Sequence, residues 1–187
     1  MSSPPSAPKT SDSHPLYVSI IDDSRPGRVG LTFAPGKRSD SAIDGGTWAR
    51  DLDKDLDRLV SEYRAGLLVS LVEDHELTLL GIPRLVEEAA RRMRVLRLPI
   101  VDGSVPTDAA AVRELVTQIA RAADEGTNVV IHCRGGLGRA GLIGGCYLRH
   151  SGFTADEALE RLRRRHPTKC PESAAQRDWI RRFGAGS

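Results

Sequence analysis

Two uninterrupted apolar runs constrain this chain more than anything else in it: residues 67–72 (LLVSLV) and residues 128–132 (NVVIH). Each has strand length and no polar alternation, the pattern of a strand covered on both faces. Strands of that kind belong to parallel sheets, whose crossovers are helices. The flanking sequence supplies them. Leu52, Leu56, Leu59, Val60 and Tyr63 share one helical face, and Gly66 reads as the end of that helix. Helical pieces follow over 74–80 and 83–93, with Pro83 near a first position. Residues 95–100 read as a short strand, 102–106 as a loop, and a helix capped by Thr107 runs to about residue 125 and closes at Gly126. Residues 139–150, 154–165 and 172–183 read as three more helices. Ahead of these, residues 16–21 and 29–33 read as strands joined by a turn, an antiparallel edge hairpin, with APGKR (34–38) as a further turn. The expected fold is α/β: one domain over residues 15–187, with a central mostly parallel sheet, helices on both faces and an N-terminal edge hairpin. Residues 1–14, rich in Ser and Pro, read as a disordered tail.

Composition narrows the function classes. Hydrophobic residues make up 40% and charged residues 28%, enough apolar surface for a real core. No apolar run approaches the roughly 18 residues of a membrane helix, and the N-terminus has no signal-like stretch, so no stable membrane association is expected. With 27 basic and 25 acidic residues the charge is too balanced for nucleic acid as a main partner. Three widely spaced cysteines argue against a disulfide framework and for a reducing, cytoplasmic setting. Abundant Arg, Ala and Gly fit the codons of a GC-rich bacterial genome. The run Arg161, Arg163, Arg164 and Arg165 reads as a solvated helix face.

The chemistry concentrates in residues 130–141, VIHCRGGLGRAG. Cys133 stands where a buried strand ends and a helix is about to begin, the edge at which open α/β sheets bind ligands. Gly135, Gly136 and Gly138 leave room for backbone N–H groups to turn inward as an anion nest, and the next helix aims its positive end at the same place. Arg139 follows six residues after Cys133, and its planar fork suits two oxygens of a tetrahedral oxyanion. Such surroundings favour a thiolate nucleophile beneath a bound phosphate.

This stretch resembles the His-Cys-five residues-Arg signature of cysteine-dependent protein tyrosine and dual-specificity phosphatases. Over a longer span the chain is similar to the kinase-associated phosphatase group, through HCRGGLGR at 132–139, LPIVDGSVP at 98–106 and EDHEL at 73–77. With the order of elements, the likeness covers roughly residues 45–185. The resemblance implies that Cys133 forms a phosphocysteine and that Arg139 orients the phosphoryl oxygens. Backbone N–H groups of Arg134, Gly135, Gly136, Leu137, Gly138 and Arg139 complete the cradle. Asp102 is implied as the general acid, then the base for the attacking water; Asp108 is a nearby competitor. His132 would organise the loop, Gln176 would contact the hydrolytic water, and Glu76 is a candidate to orient Arg139. Cys146 and Cys170 read as structural, with a protective disulfide to Cys133 as their other reading. No cofactor or metal is implied, and His132, Cys133 and Cys170 lack zinc-ligand spacing. The implied partner is a phosphorylated protein, bearing phosphotyrosine and/or phosphoserine or phosphothreonine, and the implied state a monomer. A phosphoinositide or other small-molecule phosphatase and a phosphate-binding pseudophosphatase are the alternatives. One departure stands out: the family usually has Ser or Thr directly after the signature arginine, and here it is Ala140.

Overall fold

The five strands of the main sheet follow the order β1-β2-β7-β5-β6. In the computed structural model, which describes residues 7–39, 46–165 and 169–184, these are β1 (Ser19–Asp22), β2 (Val29–Thr32), β5 (Ala65–Ser70), β6 (Arg94–Arg97) and β7 (Asn128–His132). β2, β7, β5 and β6 are mutually parallel; β1 pairs antiparallel with β2 at the edge. Two-residue strands β3 (Arg38–Ser39) and β4 (Trp48–Ala49) make a separate small pair. The helices are α1 (Leu52–Ser61), α2 (Asp74–Leu79), α3 (Leu85–Ala90), α4 (Ala109–Asp124), α5 (Arg139–His150), α6 (Ala155–Arg165) and α7 (Ala174–Arg182).

The apolar runs are two-sided in the way their sequence demanded. Leu67, Val69 and Leu71 face one core with Val129 and Ile131, against α4, α5, α6 and α7. Leu68, Val72 and Val130 face the other, against α1, α2 and α3. Each fully buried aliphatic side chain contributes roughly 1.5–3 kcal/mol of transfer free energy, so both faces are held strongly. β7 lies at the sheet's centre, and α5, buried from Arg139 to Leu148, runs directly from its loop. The strand that ends at Cys133 is therefore held between the two cores.

Several boundaries differ from the sequence expectation. α1 does not end at Gly66. It stops at Glu62, and Arg64 with φ 50° turns the chain into β5, where Gly66 is a strand residue. The cap of α4 is Asp108, not Thr107: its Oδ1 accepts the N–H groups of Ala110 and Ala111 at 2.9 and 3.0 Å. The stretch read as a tail up to residue 14 is held from residue 7 onward at least in part. Lys9 N–H donates to Thr47 O (2.9 Å) and Lys9 O accepts from Ala49 N–H (3.0 Å); residues 1–6 lie outside the described residues. The basic run is not one uniform solvated face. Arg161 Nε–H donates to Ile21 O at 2.6 Å and its guanidinium lies over Phe153, while Arg164 pairs with Glu160. The Arg165 side chain lies outside the described residues. No helix among the described residues is long and apolar enough to cross a membrane.

Candidate active site

Cys133 leaves the carboxyl end of β7 with its thiol 3% exposed. The chain then loops through residues 134–138 and enters α5 at Arg139. Two glycines shape the loop. Gly136 has φ 81°, and a Cβ there would lie 2.8 Å from the Thr32 carbonyl carbon, so only glycine fits. Its N–H donates to Cys133 Sγ at 3.2 Å, the first sign of amides converging on the sulfur. A Cβ on Gly138 would lie 2.9 Å from the amide nitrogen of Gln176. Arg134 and Gly135 are exposed, Leu137 half-buried.

Arg139 is 1% exposed, and its side chain is clamped. Nη1–H donates to Glu76 Oε2 (2.6 Å) and to Ile100 O (2.8 Å); Nη2–H donates to Glu76 Oε1 (2.8 Å). Glu76 in turn reaches back to Glu73 N–H (2.8 Å) as half of a capping box, so α2 itself holds the carboxylate in place. Burial alone would raise the Glu76 carboxyl, but the Arg139 and Glu73 hydrogen bonds and the guanidinium charge hold it below the usual carboxylate range. Glu76 thus holds two nitrogens of the Arg139 guanidinium with its two oxygens.

Asp102, on the loop after residue 100, places Oδ1 2.9 Å from Arg139 Nη2 and Oδ2 3.8 Å from Arg134 Nη1, with about half its side chain exposed. The competing Asp108 is turned to its capping role. Arg139 Nε has no partner among the described residues. One guanidinium donor is thus free, and Nη2 is shared between Glu76 and the half-exposed Asp102.

His132 is fully buried. Its Nδ1 lies 3.3 Å from Cys133 O, a contact that assigns the ring proton to Nδ1. Burial pushes the imidazole down to about 4, helped by the charges of Arg139 and Arg97. Gln176 is buried against the same loop: Nε2–H donates to Ser104 O (3.2 Å) and Oε1 accepts from Ser173 N–H (3.1 Å). It bridges the segment carrying Asp102 to α7 beside Gly138. Cys146 and Cys170 are buried; burial raises the Cys146 thiol well above its ordinary value and pushes Cys170 up to about 12.

Lys37, read from sequence only as part of a turn, also belongs here. It is 8% exposed, and its Nζ lies 3.5 Å from Arg134 O, 4.6 Å from the Phe33 ring centroid and 4.7 Å from that of Trp48. Burial pushes its ammonium down to about 8, with Arg50 adding to the effect and Cys133 opposing it.

A buried thiol at the carboxyl edge of a central parallel strand, with the Gly136 N–H turned toward it and a carboxylate-clamped arginine closing the loop, belongs to the cysteine-based phosphatases. Comparison with known proteins agrees. Residues 52–187 match the family described as Swiss Army Knife protein, DSP-PTPase phosphatase domain, and the chain belongs to that family. The structure of kinase-associated phosphatase, with serine replacing its catalytic-site cysteine, superposes with a TM-score of 0.78. The match covers 90% of this chain and 94% of that one at 22% identity, a likeness of fold. Tk-PTP in its active form gives a TM-score of 0.69 at 30% identity, over 89% and 95% of the two chains. The dual specificity protein phosphatase CDC14AB of Danio rerio is 41% identical over 66 residues, 34% of this chain and 10% of that protein. The chain thus spans about a tenth of the length of that curated relative.

Proposed function

We propose that the protein hydrolyses phosphate monoesters on phosphorylated proteins, at phosphotyrosine and/or phosphoserine or phosphothreonine, through a phosphocysteine at Cys133. The observation that carries this reading is the shared focus of Cys133 Sγ, the Gly136 N–H at 3.2 Å and the Glu76-clamped Arg139. The phosphoprotein class is supported by the family's dual-specificity phosphatase domain.

In the first step Cys133 Sγ attacks phosphorus, the ester P–O bond breaks, and Asp102 gives its proton to the departing oxygen. In the second, water attacks phosphorus, Asp102 takes a proton from it, and the P–S bond breaks to return the thiolate and inorganic phosphate. The 2.9 Å Asp102–Arg139 contact occupies a guanidinium donor in the free site. Substrate must therefore replace Asp102 on the guanidinium, and the phosphoryl oxygens, bound at Nε and Nη2, do so while leaving Asp102 free to turn to the leaving group. His132, buried and neutral, shapes the loop rather than exchanging protons with substrate.

An aryl phosphate assay tests the reading. Cys133→Ser should be inactive, and Asp102→Asn should lose far more rate on poor leaving groups than on good ones. Equal activity in wild type and Cys133→Ser would end the proposal. A panel of phosphopeptides and phosphoinositides then decides the substrate class; faster turnover of the lipids than of every peptide would replace the phosphoprotein reading.

A further inference from the structure

Lys37 is a nearly buried cation with no carboxylate partner among the described residues. Burying an ammonium without a counter-charge is costly, so its position needs a cause. The backbone that presents it is itself fixed. Gly36 N–H donates to Asp55 Oδ2 at 2.8 Å, and Asp55 is held bidentately by the buried Arg50 at 2.7 and 2.8 Å. Phe33 and Trp48 wall the ammonium with their ring faces, which offsets part of the desolvation. What it faces is the catalytic loop, at the Arg134 carbonyl.

The Arg134 carbonyl is gripped twice, by Ala34 N–H at 3.3 Å and by Lys37 Nζ at 3.5 Å. A trans peptide is planar, with its C=O and the following N–H pointing in opposite directions. A carbonyl held toward residues 34–37 therefore turns the Gly135 N–H the other way, toward the interior of the loop, where Gly136 N–H already meets the sulfur. We propose that Lys37 is a positioning residue of the phosphate cradle: it fixes the 134–135 peptide so that the Gly135 N–H serves the anion, and it places a second positive charge, besides Arg139, against the catalytic loop. The other charged groups around it are Arg50, already neutralised by Asp55, and the exposed Arg134. Neither supplies an anion to Lys37, so on this proposal an anion held in the cradle is the counter-charge its position awaits.

This inference rests on reading Cys133 as the nucleophile, and its test is kept separate from turnover. Wild type, Lys37→Met, Lys37→Gln and Lys37→Arg are treated with iodoacetamide at pH 7, and alkylation of the Cys133 peptide is followed by mass spectrometry, with melting curves recorded in parallel. The uncharged variants should alkylate more slowly, on the order of tenfold, because a nearby cation is lost from a site of low effective dielectric. Their affinity for inorganic phosphate should fall similarly, and Lys37→Arg should restore both. If Lys37→Met fails to fold, Lys37→Gln decides. An equal alkylation rate in all folded proteins, or a slowing that the arginine variant shares, overturns the proposal. An enzyme with no aryl phosphatase activity would overturn the proposed function instead, while the alkylation comparison still reports on Lys37.

Discussion

Glu76→Gln is the sharpest perturbation of this site, because it changes one atom in a buried, fully used carboxylate. Glu76 and Arg139 side chains are 5% and 1% exposed, so solvent screens their pairing little. Oε2 accepts from both Arg139 Nη1 (2.6 Å) and Glu73 N–H (2.8 Å), and Oε1 accepts from Arg139 Nη2 (2.8 Å). A glutamine has a single oxygen to offer. Whichever way the amide is set, its NH2 faces a guanidinium nitrogen, donor against donor, and in the Oε2 place it opposes the Glu73 N–H as well; the arginine also keeps a buried charge without its counter-charge. Breaking such a pair costs about 3–5 kcal/mol when one partner is lost, and the surviving oxygen lowers this to about 2–4 kcal/mol. In urea, at a slope of about 2 kcal/mol per molar, the unfolding midpoint should drop by about 1–2 M. Activity should fall too, since Arg139 keeps one glutamine oxygen and the Ile100 carbonyl in place of the two-oxygen clamp; a side chain displaced by an ångström loses on the order of a hundredfold in kcat/KM. A Glu76→Gln protein with an unchanged urea midpoint and kcat/KM within about twofold of wild type would refute the claim that this carboxylate holds the arginine.

Three further outcomes follow from the same geometry. Ala140, fully buried at the start of α5, offers no hydroxyl to steady a departing thiolate; rapid quench should show a burst of leaving group, and Ala140→Ser should raise the steady-state rate by about 10–100-fold, a single linear phase in wild type counting against this. His132 is held neutral with its imidazole near 4, against 6.5 when exposed, so the folded state binds fewer protons than the unfolded one between those values. Stability should therefore be full above about pH 6.5 and decline as pH falls toward 4, by about 3 kcal/mol, with Glu76 adding to the loss at still lower pH; urea midpoints across pH 4–8 measure this, and His132→Asn should remove the decline above pH 5. Gly136→Ala forces a side chain into a φ of 81° and to within 2.8 Å of the Thr32 backbone, and should cost about 2–4 kcal/mol in urea unfolding together with most of the phosphate affinity; a variant as stable as wild type would contradict the tightness of the loop.

The parts of this protein that the sequence alone determined are those written within a few consecutive residues. The double-sided strands at 67–72 and 128–132 carry their own hydrophobic pattern, so the parallel sheet and its helical layers were readable. HCRGGLGR holds strand end, glycine loop, arginine and helix start within eight residues, and its chemistry follows from local backbone geometry. Local boundaries were less certain, because a left-handed Arg64 or a cap at Asp108 rather than Thr107 differs from its rival by about 1–2 kcal/mol.

Tertiary structure decided what depends on residues far apart in the chain. Glu76 meets Arg139 across 63 positions, and nothing in EDHEL distinguishes a clamp from a surface carboxylate until the sheet brings α2 over the loop. Lys37 meets Arg134 across 97 positions, from a segment whose polar composition reads as a solvated turn. Its burial comes from Phe33, Trp48 and the Arg50–Asp55 pair closing around it, an arrangement with no local periodicity to announce it. Residues 7–14 likewise have too little apolar content to order themselves, and take their place because β4, Arg50, Asp51 and Lys54 offer them partners. Short-range pattern sets backbone form and the composition of the loop; which charges pack against that loop is decided by tertiary contact, which no window of sequence contains.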